Sequence, residues 1–183
     1  MKDKLACIIP IFLTMLCISL SCSNNKSTTG PEDSNDIFAI YIVEDTIYGK
    51  GEVGLDTLKL SKQPLLSCSD ITSYIWSKHQ INYSEDVHKQ LKGFTDLWRK
   101  GFVVIAEGKK IYWGLFQSYL DSYACQNPVI ILFPRETDMK HILSSTIYIR
   151  RSYFDGEGLE AEPDPRSDAR IHNALEKAGV LVP

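Results

Sequence analysis

The chain has little of what catalysis is usually built from. It contains no Gly-x-Ser-x-Gly elbow, no His-Glu-x-x-His and no glycine loop of the kind that cradles phosphate. Its five cysteines include no Cys-x-x-Cys pair, which removes the commonest zinc-ligand spacing. The four histidines, His79, His88, His141 and His172, stand apart, and Glu85 with His79 and His88 matches no ligand pattern. They read as solvated or locally bonded side chains, so no metal and no other cofactor is expected. A basic stripe is also missing: 20 Lys and Arg face 23 Asp and Glu, which argues against a nucleic-acid partner. Finally, the most apolar run, Leu5 to Leu20, is broken by Pro10 and falls short of the ~20 residues a spanning helix needs.

What is present begins with that run. Lys2 and Lys4 precede it, Ser21-Cys22 closes it, and a polar tract follows at once. The layout resembles a bacterial lipoprotein signal, with a basic region, a short apolar core and a small residue before cysteine. The lipoprotein pattern prefers leucine three places before the cysteine; here Ser19 holds that place and Leu20 is displaced. The resemblance implies removal of residues 1–21, acylation of Cys22 and a membrane partner held through that lipid anchor. Ordinary cleavage and an uncleaved anchor are the alternatives. Ser23, rather than aspartate, after Cys22 favours the outer membrane if the organism is diderm. Residues 22–35 carry no large apolar side chain and form a flexible tether. Residues 36–183 are long enough for a single globular domain with its own core. Within it Cys68 and Cys125 are the remaining cysteines, a candidate disulfide in an oxidising compartment or else two separate thiols.

The domain alternates strand and helix patterns. Ile37 to Val43 is apolar on both alternating faces, the mark of a strand covered on both sides. Leu58 and Leu60 suggest a short half-buried strand, and Ile71 to Trp76 is ambiguous between strand and helix. Ser84 to Arg99 predicts a helix that Ser84 caps, with Val87, Leu91, Phe94 and Trp98 on its apolar face. Phe102 to Ala106, the turn Glu107 to Lys110 and Ile111 to Phe116 predict a hairpin. Pro128 to Phe133 and Ser145 to Arg150 add two strands, and the acidic stretch from Phe154 to Pro165 reads as a surface loop. A last helix starts at Asp164-Pro165, buries Ile171, Ala174, Leu175 and Ala178, and stops at Gly179. The expected fold class is α+β: a mostly antiparallel sheet with two amphipathic helices packed on it.

Part of this pattern has a family likeness. Asp70-Ile71, the helix at Ser84, the run from Val103 to Ile111 and Pro128-Val129-Ile130 resemble the periplasmic head of the SecD protein-export subunit. The resemblance spans about half of the domain and implies a similar fold and, at most, contact with exported chains. The segment from Tyr112 to Asn127 departs from it.

That segment holds the strongest contact signal, because aromatic side chains with polar tips are common hot spots. Trp113, Phe116, Tyr119 and Tyr123 are the candidate contact surface, for a protein, peptide or glycan ligand; the core is the competing place for Trp113 and Phe116. Asp70, Glu107 and Asp121 are the acids to inspect for catalysis, each with a simpler role as a cap, a turn residue or a loop residue, so no catalytic residue is assigned. Taken together, the residues point to a lipid-anchored envelope protein with a non-catalytic binding domain. An envelope hydrolase acting on polymers or lipids, or a secretion accessory resembling the SecD head, is the alternative.

Overall fold

Phe38–Ile42 forms the first strand, β1, and every second residue enters a different core, as the sequence pattern requires. The computed structural model describes residues 37–90, 96–118, 120–132, 145–154 and 162–183. Residues 1–36, with the signal and the tether, lie outside the described residues, as do Leu91, Phe94, Tyr119, Phe133, His141 and most of the acidic loop. The further strands are β2 (Leu66–Ser67), β3 (Ile71–Ile75), β4 (Gln80–Tyr83), β5 (Gly101–Ala106), β6 (Lys109–Gln117), β7 (Val129–Ile131), β8 (Thr146–Arg150) and β9 (Leu181–Val182). They make one sheet in the order β2-β1-β5-β6-β7-β8-β4-β3-β9. Pairing is antiparallel except between β6 and β7 and between β3 and β9. The mixed α and β class and the mostly antiparallel sheet are therefore as expected.

The sheet curls, and alternation along each strand divides its apolar residues between two faces. On the inner face Phe38, Ile40, Phe102, Val104 and Phe116 meet Ile81, Ile147 and Ile149 from the far side of the curl. Helix α2 (Ala169–Lys177) adds Ile171, Ala174 and Leu175 to that face. On the outer face Ala39, Tyr41, Val103, Ile105, Trp113 and Leu115 are covered by Ile47, Leu58 and Leu60 from the segment after β1.

Several expectations are corrected. Among the described residues one helix is sizeable, α2; the other, α1 (Glu85–Gln90), is six residues long, and Asp96-Leu97 form a 3-10 turn. Trp98 is 48% exposed rather than part of a helical core face. The last helix begins four residues later than Asp164. Asp164 caps a 3-10 turn at Pro165–Ser167 by accepting from the Arg166 amide, and Asp168 repeats the device for α2 by accepting from Arg170. Gly179, at φ +72°, ends the helix as read. Leu60 makes one isolated bridge to Val43 instead of a strand, although Leu58 and Leu60 are both buried. Ile71 to Trp76 resolves as β3 followed by a 3-10 turn from Trp76 to Lys78. The Cys68–Cys125 disulfide is not formed: Cys68 packs against the inner core and Cys125 is buried in the outer one. No helix among the described residues is long and apolar enough to cross a membrane.

Candidate functional site

A parallel pair cannot be joined by a tight turn, so the pairing of β6 with β7 forces a crossover, whose described residues are 118 and 120–128. The aromatic-rich stretch singled out in the sequence is thus split in two. Trp113 and Phe116 sit on β6, where they point to opposite faces and are buried, Trp113 in the outer core and Phe116 in the inner one. They are removed from the contact surface. Tyr123 lies in the crossover and is half-buried against Tyr48, ring centroids 5.2 Å apart. Leu120, in the same crossover, is 71% exposed.

Asp121 organises this corner. Its carboxylate accepts from the Ser118 amide at 2.8 Å, the Trp98 indole N–H at 3.1 Å, the Tyr48 hydroxyl at 3.2 Å and Arg99 Nε and Nη2 at 3.3 Å. None of the Asp121 side-chain surface is exposed, whereas the Arg99 side chain is 47% exposed. Burial pushes the Asp121 carboxyl up, but the hydrogen bonds from Ser118, Trp98, Arg99 and Tyr48 outweigh it and hold it below the usual carboxylate value. The group is therefore an anion that positions its donors. A general acid would need the opposite shift.

Arg99 is fixed from three sides. Its guanidinium carbon lies 4.2 Å from the Trp98 ring centroid and 4.8 Å from that of Tyr48, both within cation–π range. Asp121 holds one edge of the fork. Backbone geometry adds to this, because Arg99 has φ +65°, its amide donates to Phe116 O, and the Phe116 amide donates to Lys100 O. These bonds place the entry to β5 beside the exit of β6. The crossover is tied down by Gln117, whose Nε2 donates to Tyr123 O at 2.6 Å, and by the Tyr153 hydroxyl, which donates to the carbonyls of Ser118 and Asp121. Gln117 Oε1 is buried without a hydrogen-bond partner among the described residues. Phe154, next to Tyr153, is 59% exposed.

The sequence marked Asp121 and Tyr123 but missed Trp98, Arg99 and Tyr48. Nothing local announces those three; only the register of β1, β5 and β6 brings positions 48, 98, 99 and 121 together. The other two acids have structural work. Asp70 accepts from the Ser67 amide and hydroxyl ahead of β3, and Glu107 sits at φ +51° with Gly108 at +72° in the β5–β6 turn.

A second polar cluster lies at the other flank of the inner core. His79 Nδ1 is 3.1 Å from the Tyr74 hydroxyl, its Nε2 is 3.9 Å from Asp164, and Asp164 pairs with Arg166 at 2.7 Å. Trp76 packs edge-on between His79 and His172. Burial first, then the Arg166 charge, lowers His79 to about 4, with Asp164 opposing. Arg166 Nη1 also donates to Ile149 O, so the cluster ties α2's leading turn to β8. Tyr74 is fully buried, while His79, Asp164 and Arg166 keep a small exposed side-chain surface. Among the described residues no three His, Cys, Asp or Glu side chains gather to hold a metal ion. No family model matches the chain, and no curated protein or solved structure does either.

Proposed function

We propose that the chain is a lipid-anchored envelope protein, held through Cys22, whose folded domain is a non-catalytic binding module with its recognition face at the Trp98–Arg99–Asp121 corner. The observation that carries this reading is the character of that corner. Trp98 is part of it, Leu120 precedes Asp121 in the chain, and Phe154 packs on Tyr153, whose hydroxyl donates to the Asp121 carbonyl; these are three of the five large apolar side chains exposed among the described residues. Beneath them lies a network built on a fully covered carboxylate. A rigid scaffold of this kind under exposed tryptophan and arginine is what contact hot spots are made of.

The place of the corner in the fold supports display. The chain enters β1 at Phe38, opposite Ala106 and beside the β5–β6 turn, whereas the corner lies past Ile42 and Gly101 at the other end of the same strands. Five residues of strand, roughly 17 Å at the usual rise, separate them. The chain therefore joins the domain at the end of β1 opposite the corner, which leaves the corner clear of the attachment point. The hydrolase alternative draws no support from the acids: Asp70 and Glu107 shape turns, and Asp121 is buried as an ion.

Replacing Cys22 with alanine tests the anchored part of the proposal. The wild type is expected to carry the mass of acyl chains on a chain beginning at residue 22 and the variant to carry none; a wild type without acyl mass would overturn it.

A further inference from the structure

We infer that the Arg99 corner is a carboxylate-recognition site, and that its ligand is an acidic residue with apolar neighbours in a peptide segment of a partner protein. This rests on the proposed binding role and names the chemistry the site would read.

Arg99 and Asp121 sum to zero charge, yet solvent meets only one of them. The Asp121 side chain is wholly covered and the Arg99 side chain is 47% exposed, so the pair presents a cation. Arg99 holds its guanidinium carbon within cation–π range of both the Tyr48 and the Trp98 ring. Its Nε and Nη2 donate to Asp121 Oδ1, and Nη1 has no hydrogen-bond partner among the described residues. A planar fork held in advance on one edge, with donors left on the other, suits a carboxylate and loses little side-chain entropy on binding. Lys100, next in the chain, adds a second positive charge. The surroundings choose the carrier of the carboxylate. Trp98 and Leu120 flank Asp121 with exposed apolar surface, which rewards aliphatic neighbours on the ligand rather than the hydroxyls of an acidic sugar.

The test is a titration of the full chain, extracted from membranes in detergent, with the blocked tripeptide acetyl-Leu-Glu-Leu-amide. The readouts are the NMR resonances of the Trp98 indole N–H and Arg99 Nε–H, with Trp98→Phe used for assignment. Expected are saturable shifts of both, at least tenfold weaker binding of acetyl-Leu-Gln-Leu-amide, and at least tenfold weaker binding of the glutamate peptide to Arg99→Lys. Because Arg99 supports a buried carboxylate, Arg99→Lys alone could fail by unfolding. Leu120 is exposed and its side chain lies outside the network, so both Leu120→Asp and Leu120→Lys lose its apolar surface, but Leu120→Asp, which also repels the carboxylate, should weaken binding several-fold more than Leu120→Lys, which attracts it. Absence of saturable shifts, equal binding of the glutamine peptide, or equal effects of the two Leu120 variants would overturn the inference. Binding of glucuronate as tight as the glutamate peptide would overturn the peptide assignment. The titration is independent of the lipid: the Cys22→Ala protein should bind the peptide equally well, so loss of the anchor and loss of the site are separately visible.

Discussion

His79 is a buried side chain whose protonation makes the fold sensitive to acid. It sits at φ +46°, a left-handed conformation tolerated by His and Asn better than by most residues, and is packed by Tyr74, Trp76, Asp164 and Arg166. Its folded-state value near 4 lies below the 6.5 of an exposed imidazole. Between those limits the unfolded chain takes up a proton that the folded chain refuses. Stability is therefore unaffected by this group above pH 6.5 and falls as pH drops from 6.5 to 4, by about 1.4 kcal/mol per unit at most. Asp121 and Asp164, both held below the ordinary carboxylate value, lose their contribution only at still lower pH. Urea midpoints measured across this range should slope for the wild type and flatten for His79→Asn, whatever the variant's lower starting stability. An equal slope in both would show that another group carries the effect. At the same scale, the Asp121 corner illustrates what the sequence conceals. An acid in a loop is legible, but its four donors come from positions 48, 98, 99 and 118, and only the last is a local neighbour.

At the scale of elements, legibility follows how local the cause is. The β5–β6 hairpin was readable because two apolar runs flank Glu107-Gly108, and both residues adopt the positive φ such a turn demands. The caps of the last helix were half readable: Pro165 promised an N-terminus after Asp164, but the 3-10 turn uses that cap and Asp168 starts α2. Strands β2, β4 and β9 escaped notice because they are short and owe their state to partners far along the chain. β9, for example, pairs with β3 from more than a hundred residues away. The parallel β6–β7 contact was likewise invisible, although it creates the crossover that bears the site. Gly114 is the residue that permits it. A Cβ there would sit inside the Pro128 carbonyl oxygen and the Phe102 ring, and the Pro128 carbonyl accepts from the Leu115 amide where the two strands meet. Gly114→Ala should destabilise the domain by about 3 kcal/mol or more, at or above the top of the range for overpacked cores. Denaturant melts would check this, with Gly51→Ala, which has open space around it, as the neutral control.

At the scale of the molecule, the described residues form a curled sheet with two apolar faces, one packed by a helix and the other by loops, and their features are ordered along the strands. The chain enters at one end, and the aromatic and arginine corner stands at the other. This separation keeps the corner clear of the point where the chain joins the domain, and the proposed acylation of Cys22 would act through the tether that precedes that point. Cys68 and Cys125 pack against different apolar clusters and are not bonded to each other. Both points meet in the intact mass of the protein extracted from membranes with detergent, recorded before and after reduction. The expected mass is that of a chain beginning at an acylated Cys22, unchanged by reduction apart from any small-molecule adduct. A chain that retains Met1, or one that is cleaved but carries no lipid, would contradict the anchored-display reading at its first step.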